Sequence, residues 1–447
     1  MFTFTLLLFS GILNLITPIV VLSKYKKIAI YCLFTYYFGI DYLNYNLGLS
    51  QDLVNYIIKA FPDVLMISLL LRLFLFDANK KRKSGTDINT GVNGFFIYFM
   101  VISFIYILYG IAKGNGLARA ILDWRDVGVP VLDMFLIVRT KVINFNDGHN
   151  LLNYIAFLVV LNAVKAIYDY YSFNGLVESS WRYDFLIELN LRNNPDYESR
   201  MAVYQIVRND NLRSSGLFVS ALEFSFIAGM FFFYYYLKFL NAIKFNNAKL
   251  FVYSVASMFV CFVGVYVSQV RTAFIIIVFN VIFYHLCFKR NDGISFRPKL
   301  TLVLATFCSL IMFVIIYYLG DSADASSYGR LAQYIYLVSV FNPLGVGFGG
   351  YKGMFDSFYI YGLLTFGAPA LYFIYFFVKR YVLVFKDKLY IDNDYLPLLG
   401  LMFTAFPVML LAMSFQHVAG SLYYTLNLLV FFLAEKYILS DAKKRIC

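Results

Sequence analysis

The chain has 447 residues, 61% hydrophobic and only 14% charged, with a net charge of +12. Soluble domains average roughly 25% charged residues, so this composition excludes a water-soluble globular enzyme, and no nucleic-acid partner is expected. Apolar runs of about 20 residues recur from end to end, each long enough to cross a hydrocarbon core of ~30 Å.

A spanning backbone finds no water to bond with, so each run must be helical. The expected fold class is therefore all-α: a polytopic transmembrane helical bundle. The first apolar run, from Phe4 to Leu22, ends in SKYKK rather than in a small-residue cleavage site, and reads as a first span. Further spans are expected near 28–48, 53–76, 92–112, 127–139, 151–172, 214–237, 250–268, 272–288, 300–319, 357–378, 396–413 and 418–435. That makes thirteen, of which 127–139 is short enough to tilt or re-enter. Residues 1–447 read as a single integral membrane domain. The cysteines at 32, 261, 287, 308 and 447 form no framework, and neither a metal nor another cofactor is expected.

Lys and Arg distribute unevenly. The segments 23–27, 77–91, 139–150, 238–249, 289–299, 379–395 and 436–447 hold 24 of the 38 basic residues, and 18 of those 24 are Lys. The positive-inside rule makes them cytoplasmic. Of the other 14 basic residues, ten are Arg. Arg offers a planar fork matched to phosphate and carboxylate, and it stays charged. Arg182, Arg192, Arg200 and Arg208 can simply pair with nearby acids. That reading is weaker for Arg213 and Arg271, at span ends. The 38 residues from 251 to 288 suffice for two spans, with Ser268, Gln269 and Arg271 in a tight turn between them. An Arg at such a turn can snorkel to headgroups or face a cavity at the outer rim.

Two long segments lie on the outer side. In 172–214, Pro195 divides two amphipathic stretches, each expected to form a helix lying on the membrane. In 320–355, short helices are expected, with Leu331 to Val340 apolar enough to dip into the membrane. The GVGFGG cluster at 345–350 lacks the GK[ST] ending of a phosphate loop, and reads as a turn permitting close backbone approach. Glu223, Asp41 and Asp356 fall at or inside span ends, where a carboxylate needs a partner. For Glu223 an Arg is expected to fill that role, which makes it a supporting residue. His417 lies between the last two spans, on the outer side.

Several short motifs resemble the O-antigen polymerase and O-antigen ligase superfamily of bacterial membrane glycosyltransferases. They are LRSSGLF at 212–218, SQVRTAFI at 268–275, YGRLAQY at 328–334, FNPLGVGFGG at 341–350 and DSFYIYGLLTFGAPALYFIYF at 356–376. The ligase branch carries His where this chain has Asp356, which favours the polymerase branch. The resemblance implies a GT-C-like bundle of about 12–14 spans in the bacterial inner membrane, its active site facing the periplasm or exterior. It also implies polymerisation of undecaprenyl-diphosphate-linked repeat units, with undecaprenyl diphosphate released. Membrane lipid and a chain-length-regulating co-polymerase are the further partners implied. Departure of a diphosphate develops negative charge that Arg can stabilise without a metal. Arg213, Arg271 and Arg330 are expected to meet at one outer-facing cavity and bind the diphosphate, with Asp356, or secondly His417, as the catalytic base. A ligase using the same donor, a lipid-linked oligosaccharide flippase and a structural partner in polysaccharide assembly remain alternatives.

Overall fold

The structure, a computed structural model, describes residues 2–46, 57, 59–77, 90–193, 206–208, 211–291, 293–319, 325–387 and 393–444. In chain order the helices begin with α1 (Phe2–Leu22), α2 (Lys26–Asn46), α3 (Phe61–Arg72), α4 (Thr90–Ala112), α5 (Leu117–Arg139) and α6 (Phe145–Phe173). Next come α7 (Trp181–Asn193), α8 (Ala221–Lys244), α9 (Ala248–Val267), α10 (Arg271–Cys287) and α11 (Pro298–Leu319). The series ends with α12 (Ala325–Val340), α13 (Phe358–Phe366), α14 (Ala368–Phe385), α15 (Leu396–Met413) and α16 (Leu422–Lys444). Two small antiparallel hairpins accompany them, β1 (Val207–Arg208) with β2 (Asn211–Leu212), and β3 (Phe288–Asn291) with β4 (Gly293–Phe296).

Among the described residues, seven helices are long and apolar enough to cross a membrane: 94–112 of α4, α6, α8, α9, 298–315 of α11, α14 and α15. The chain is thus a multi-pass helical membrane protein. Some expected boundaries change. The expected span 357–378 is two helices, because Gly367 takes φ +61 and donates its N–H to Leu363 O. The expected short span 127–139 is the second half of α5, which begins at Leu117 and carries Asp123, Arg125, Asp126 and Asp133. Of the two amphipathic stretches flanking Pro195, the first is α7. The second falls mostly outside the described residues, and Val207 at its end is in a strand, paired with Leu212. Pro195, Arg200 and the side chain of Arg192 also lie outside the described residues.

Two compact units divide the chain. The first comprises residues 1–77, 136–281 and 392–401. In it, small residues let helices approach, the main route to packing where lipid competes equally for apolar surface. A Cβ on Gly264 of α9 would lie 3.1 Å from both Ala163 of α6 and Phe224 of α8. One on Gly229 of α8 would lie 3.2 Å from Ala273 O in α10. Polar side chains cap the helix starts: Asn144 and Asp147 form a reciprocal capping box on α6, and Ser220 accepts from the Glu223 N–H on α8.

The second unit comprises residues 78–135, 282–391 and 402–447. Aromatic rings fill it. Phe95 stacks on Phe376 at 4.0 Å, and Phe296 of β4 packs against Phe403 at 4.6 Å and Phe385 at 5.1 Å. Its glycine cluster makes the close approach expected of it, toward helices. Gly345, Gly347 and Gly349 all have positive φ. A Cβ on Gly345 would lie 2.3 Å from Thr365 O, and one on Gly347 2.3 Å from the Gly110 nitrogen. The loop's N–H groups are spent on helix partners: Val346 on Leu364 O, Gly347 on Thr365 O, Phe348 on Tyr106 O and Gly349 on Asp123 Oδ2. A phosphate cradle needs those N–H groups free, so the loop is a packing element.

Candidate functional site

The second unit gathers polar groups where α12, the start of α13 and the loop 414–421 meet. Arg330, Gln333 and Tyr334 follow one another at i, i+3 and i+4 on α12, so they share a face. Asp356 precedes Ser357, the N-cap of α13, whose hydroxyl accepts from the Ile360 N–H. That cap directs Asp356 back toward α12. Its N–H donates to Gln333 Oε1 at 3.0 Å, and its Oδ2 accepts from Gln333 Nε2 at 3.3 Å. Arg330 Nε lies 3.8 Å from Asp356 Oδ2, an ion pair too long to be a hydrogen bond. Arg330 Nε is buried and makes no hydrogen bond. The guanidinium therefore has donor capacity that Asp356 does not use.

Below this cluster runs an apolar groove of about 690 Å³. Phe307, Leu310 and Phe313 of α11, with Ile374 and Val378 of α14, line it, together with Tyr334 and Ser414. Tyr334 OH donates to Ser414 O at 2.8 Å and lies 2.9 Å from Ser357 Oγ. The same tyrosine thus belongs to the polar cluster and to the groove wall. Leu302 to Phe313 covers about 17 Å of helix at 1.5 Å per residue. A second cavity, about 110 Å³, is lined by Phe99, Val131, Phe358, Phe377 and Phe431 among others, and shares Tyr359, Ile374 and Leu410 with the groove.

His417 sits in the same unit, packed edge-on against Tyr361 at 4.7 Å and against Phe358 at 5.6 Å. Its Nε2 is buried without a hydrogen-bond partner. Leaving an enclosed polar atom unpaired costs about 1–3 kcal/mol. Burial lowers the His417 pKa below the ordinary histidine range. Asp126, its own backbone and Asp356 act against that lowering, and Lys352 adds to it. That direction favours the neutral imidazole, the form able to accept a proton. Behind the ring, Tyr361 OH donates to Asp123 Oδ1 at 2.9 Å, and Gly349 N–H donates to Asp123 Oδ2 at 2.7 Å. Tyr361→Phe leaves one oxygen of this buried carboxylate without its donor. It is expected to cost about 1–3 kcal/mol, read as a lower thermal midpoint of the detergent-solubilised protein. An unchanged midpoint would mean that the bond carries no net stability.

Arg213, Arg271 and Glu223 belong to the first unit. Arg271 is exposed and opens α10, just past the positive-φ residue Gln269, so the turn expected at 268–271 is present. Arg208 Nη1 donates to Gln269 O at 3.4 Å, and Ser214 N–H donates to Val267 O at 3.0 Å, which ties the Arg213 segment to that turn. Glu223 lies in the first turn of α8. Asp41 accepts from the Val219 N–H at 2.9 Å.

Arg182 departs from the expected surface pairing with acids. It is buried, donates from Nε and Nη2 to Val219 O at 3.0 and 2.7 Å, and donates from Nη1 to Arg213 O. Burial first, and then the Arg213 charge, lower its pKa to about 9, which leaves it cationic at pH 7. A buried arginine spent on carbonyls leaves no periodic trace in sequence. The same holds for Asp123, Asp126, Lys352, Gln333 and Tyr334, which the sequence did not single out. No family model matches the chain, and neither a curated protein nor a solved structure matches it, so its function is read from the chemistry of this site.

Proposed function

We propose that the protein is a metal-independent glycosyltransferase of the GT-C type. It polymerises oligosaccharide repeat units carried on undecaprenyl diphosphate at the outer face of the bacterial inner membrane. One observation carries this reading: Arg330, with an unused donor, stands four residues from a tyrosine that lines an apolar groove in a membrane protein. The ligand such a site fits is an amphiphile, with an anionic head at the arginine and a hydrocarbon tail in the groove. An isoprenoid diphosphate has both parts. Arg330 stabilises charge on the departing diphosphate, and the motif resemblance in 328–334 and 356–376 supplies the sugar. Arg213 and Arg271 are further candidates for diphosphate contact.

The test is incubation of the purified protein with one defined lipid-linked repeat unit in excess chelator. A ladder of products is expected, because guanidinium groups take the charge-neutralising role of a divalent ion. Transfer only to an added lipid core would make the protein a ligase. No covalent product, with movement of the lipid-linked sugar across a proteoliposome membrane, would make it a flippase.

A further inference from the structure

Asp126, Asp356 and Lys352 act on His417, and each belongs to one of two ion pairs. One is Arg330 with Asp356. The other is Lys352 with Asp126, whose Oδ2 lies 2.8 Å from Lys352 Nζ. Asp126 is on α5, and the loop that carries His417 lies directly on it: a Cβ on Gly420 would sit 3.4 Å from Asp126 Cβ. From α13, Tyr361 packs on the imidazole, with Asp123 of α5 behind it. Nε2 is the ring nitrogen that is buried without a hydrogen-bond partner. Buried polar atoms are mostly paired in folded proteins, and an unpaired nitrogen beside a polar cluster can accept from a ligand. Asp356, in contrast, is already held by Gln333 and faces Arg330.

We propose that His417 Nε2 is the base that takes the proton of the attacking sugar hydroxyl, and that Asp126 and Lys352 are positioning residues that set its basicity. This rests on the glycosyl-transfer reading. In the step, the acceptor oxygen bonds to the anomeric carbon and its proton passes to Nε2. The bond from that carbon to the diphosphate oxygen breaks, and its electron pair leaves with the diphosphate. His417 then releases the proton to solvent, so donor and acceptor become a lengthened glycan, a lipid diphosphate and one proton.

The two neighbours predict shifts of opposite sign. Protonated His417 cannot act as a base, so activity falls as pH drops through its pKa. Asp126 favours the imidazolium. Asp126→Asn therefore moves the acid limb of the kcat/KM profile to lower pH. Lys352→Met removes a like charge and frees Asp126, which moves the limb to higher pH. Asp126→Glu is expected to restore the wild-type limb. His417→Gln is expected to lose about 10²–10⁴-fold in turnover.

The experiment pairs the ladder assay across pH with an NMR titration of the His417 ring in the full-length protein without substrate, assigned by difference from His417→Gln. Opposite shifts in both measurements support the proposal. Shifts of one sign, or none, overturn the roles of Asp126 and Lys352. A wild-type ladder together with an active His417→Gln overturns the base role alone. A wild-type protein that makes no ladder overturns the glycosyl-transfer reading, and the base role with it.

Discussion

Arg330→Ala is expected to lower the initial rate of ladder formation by about 10²–10³-fold, the usual consequence of removing one preorganised group that meets developing negative charge. Little of that loss should come from unfolding. Asp356 is half exposed and 3.8 Å from the guanidinium, and a pair of that kind contributes at most about 1 kcal/mol. The thermal midpoint of the variant should therefore stay close to wild type while turnover falls. Arg330→Lys keeps the charge and loses the planar fork, and it should recover only a small part of the rate. Wild-type turnover in Arg330→Lys would mean that a point charge is sufficient. A large drop in midpoint for Arg330→Ala would mean that the residue holds the site together rather than working in it.

Gly347→Ala is expected to remove most of the folded protein. The backbone there has φ +80, and a Cβ would lie 2.3 Å from the Gly110 nitrogen and 2.5 Å from the Gly110 Cα. Both obstacles are helix backbone, which cannot step aside as a flexible side chain can. The cost is about 3 kcal/mol or more. Gly353→Ala is the control. Its φ is +72 and nothing lies within 4 Å of the Cβ, so only the left-handed backbone is penalised, by about 1 kcal/mol. The two variants are compared by the monodisperse fraction that survives heating in detergent. Equal survival would assign the whole effect to backbone conformation and none to the helix contact.

The glycine loop shows how a sequence reading and a structure divide the work. GVGFGG announces backbone freedom, because only glycine enters the left-handed region at no steric cost. Which helices use that freedom is a matter of tertiary contacts: α13 follows the loop closely in the chain, but α4 and α5 lie more than 200 residues away, as between Asp123 and Gly349. Gly367 gave a weaker signal. An apolar run such as 357–378 satisfies hydropathy whether or not a single residue breaks the helix, since hydropathy counts side chains and not dihedral angles.

The sequence by itself determined that the chain is a multi-pass membrane protein of helices, because burial in hydrocarbon dictates both composition and backbone hydrogen bonding. It also determined the turn at 268–271 and the interest of Arg330, Asp356 and His417, since charge is costly near lipid and stands out against an apolar background. Only the tertiary structure decided which charges face one another. Arg330 faces Asp356, Lys352 faces Asp126, and Arg182 is spent on the carbonyls of Val219 and Arg213. Tertiary structure alone also set an apolar groove against Tyr334. The physical reason is range. Hydrophobicity and helix formation act along a few turns of one chain segment. An ion pair or a cavity is a property of distant segments brought within a few ångströms, and no local pattern records which segments those will be.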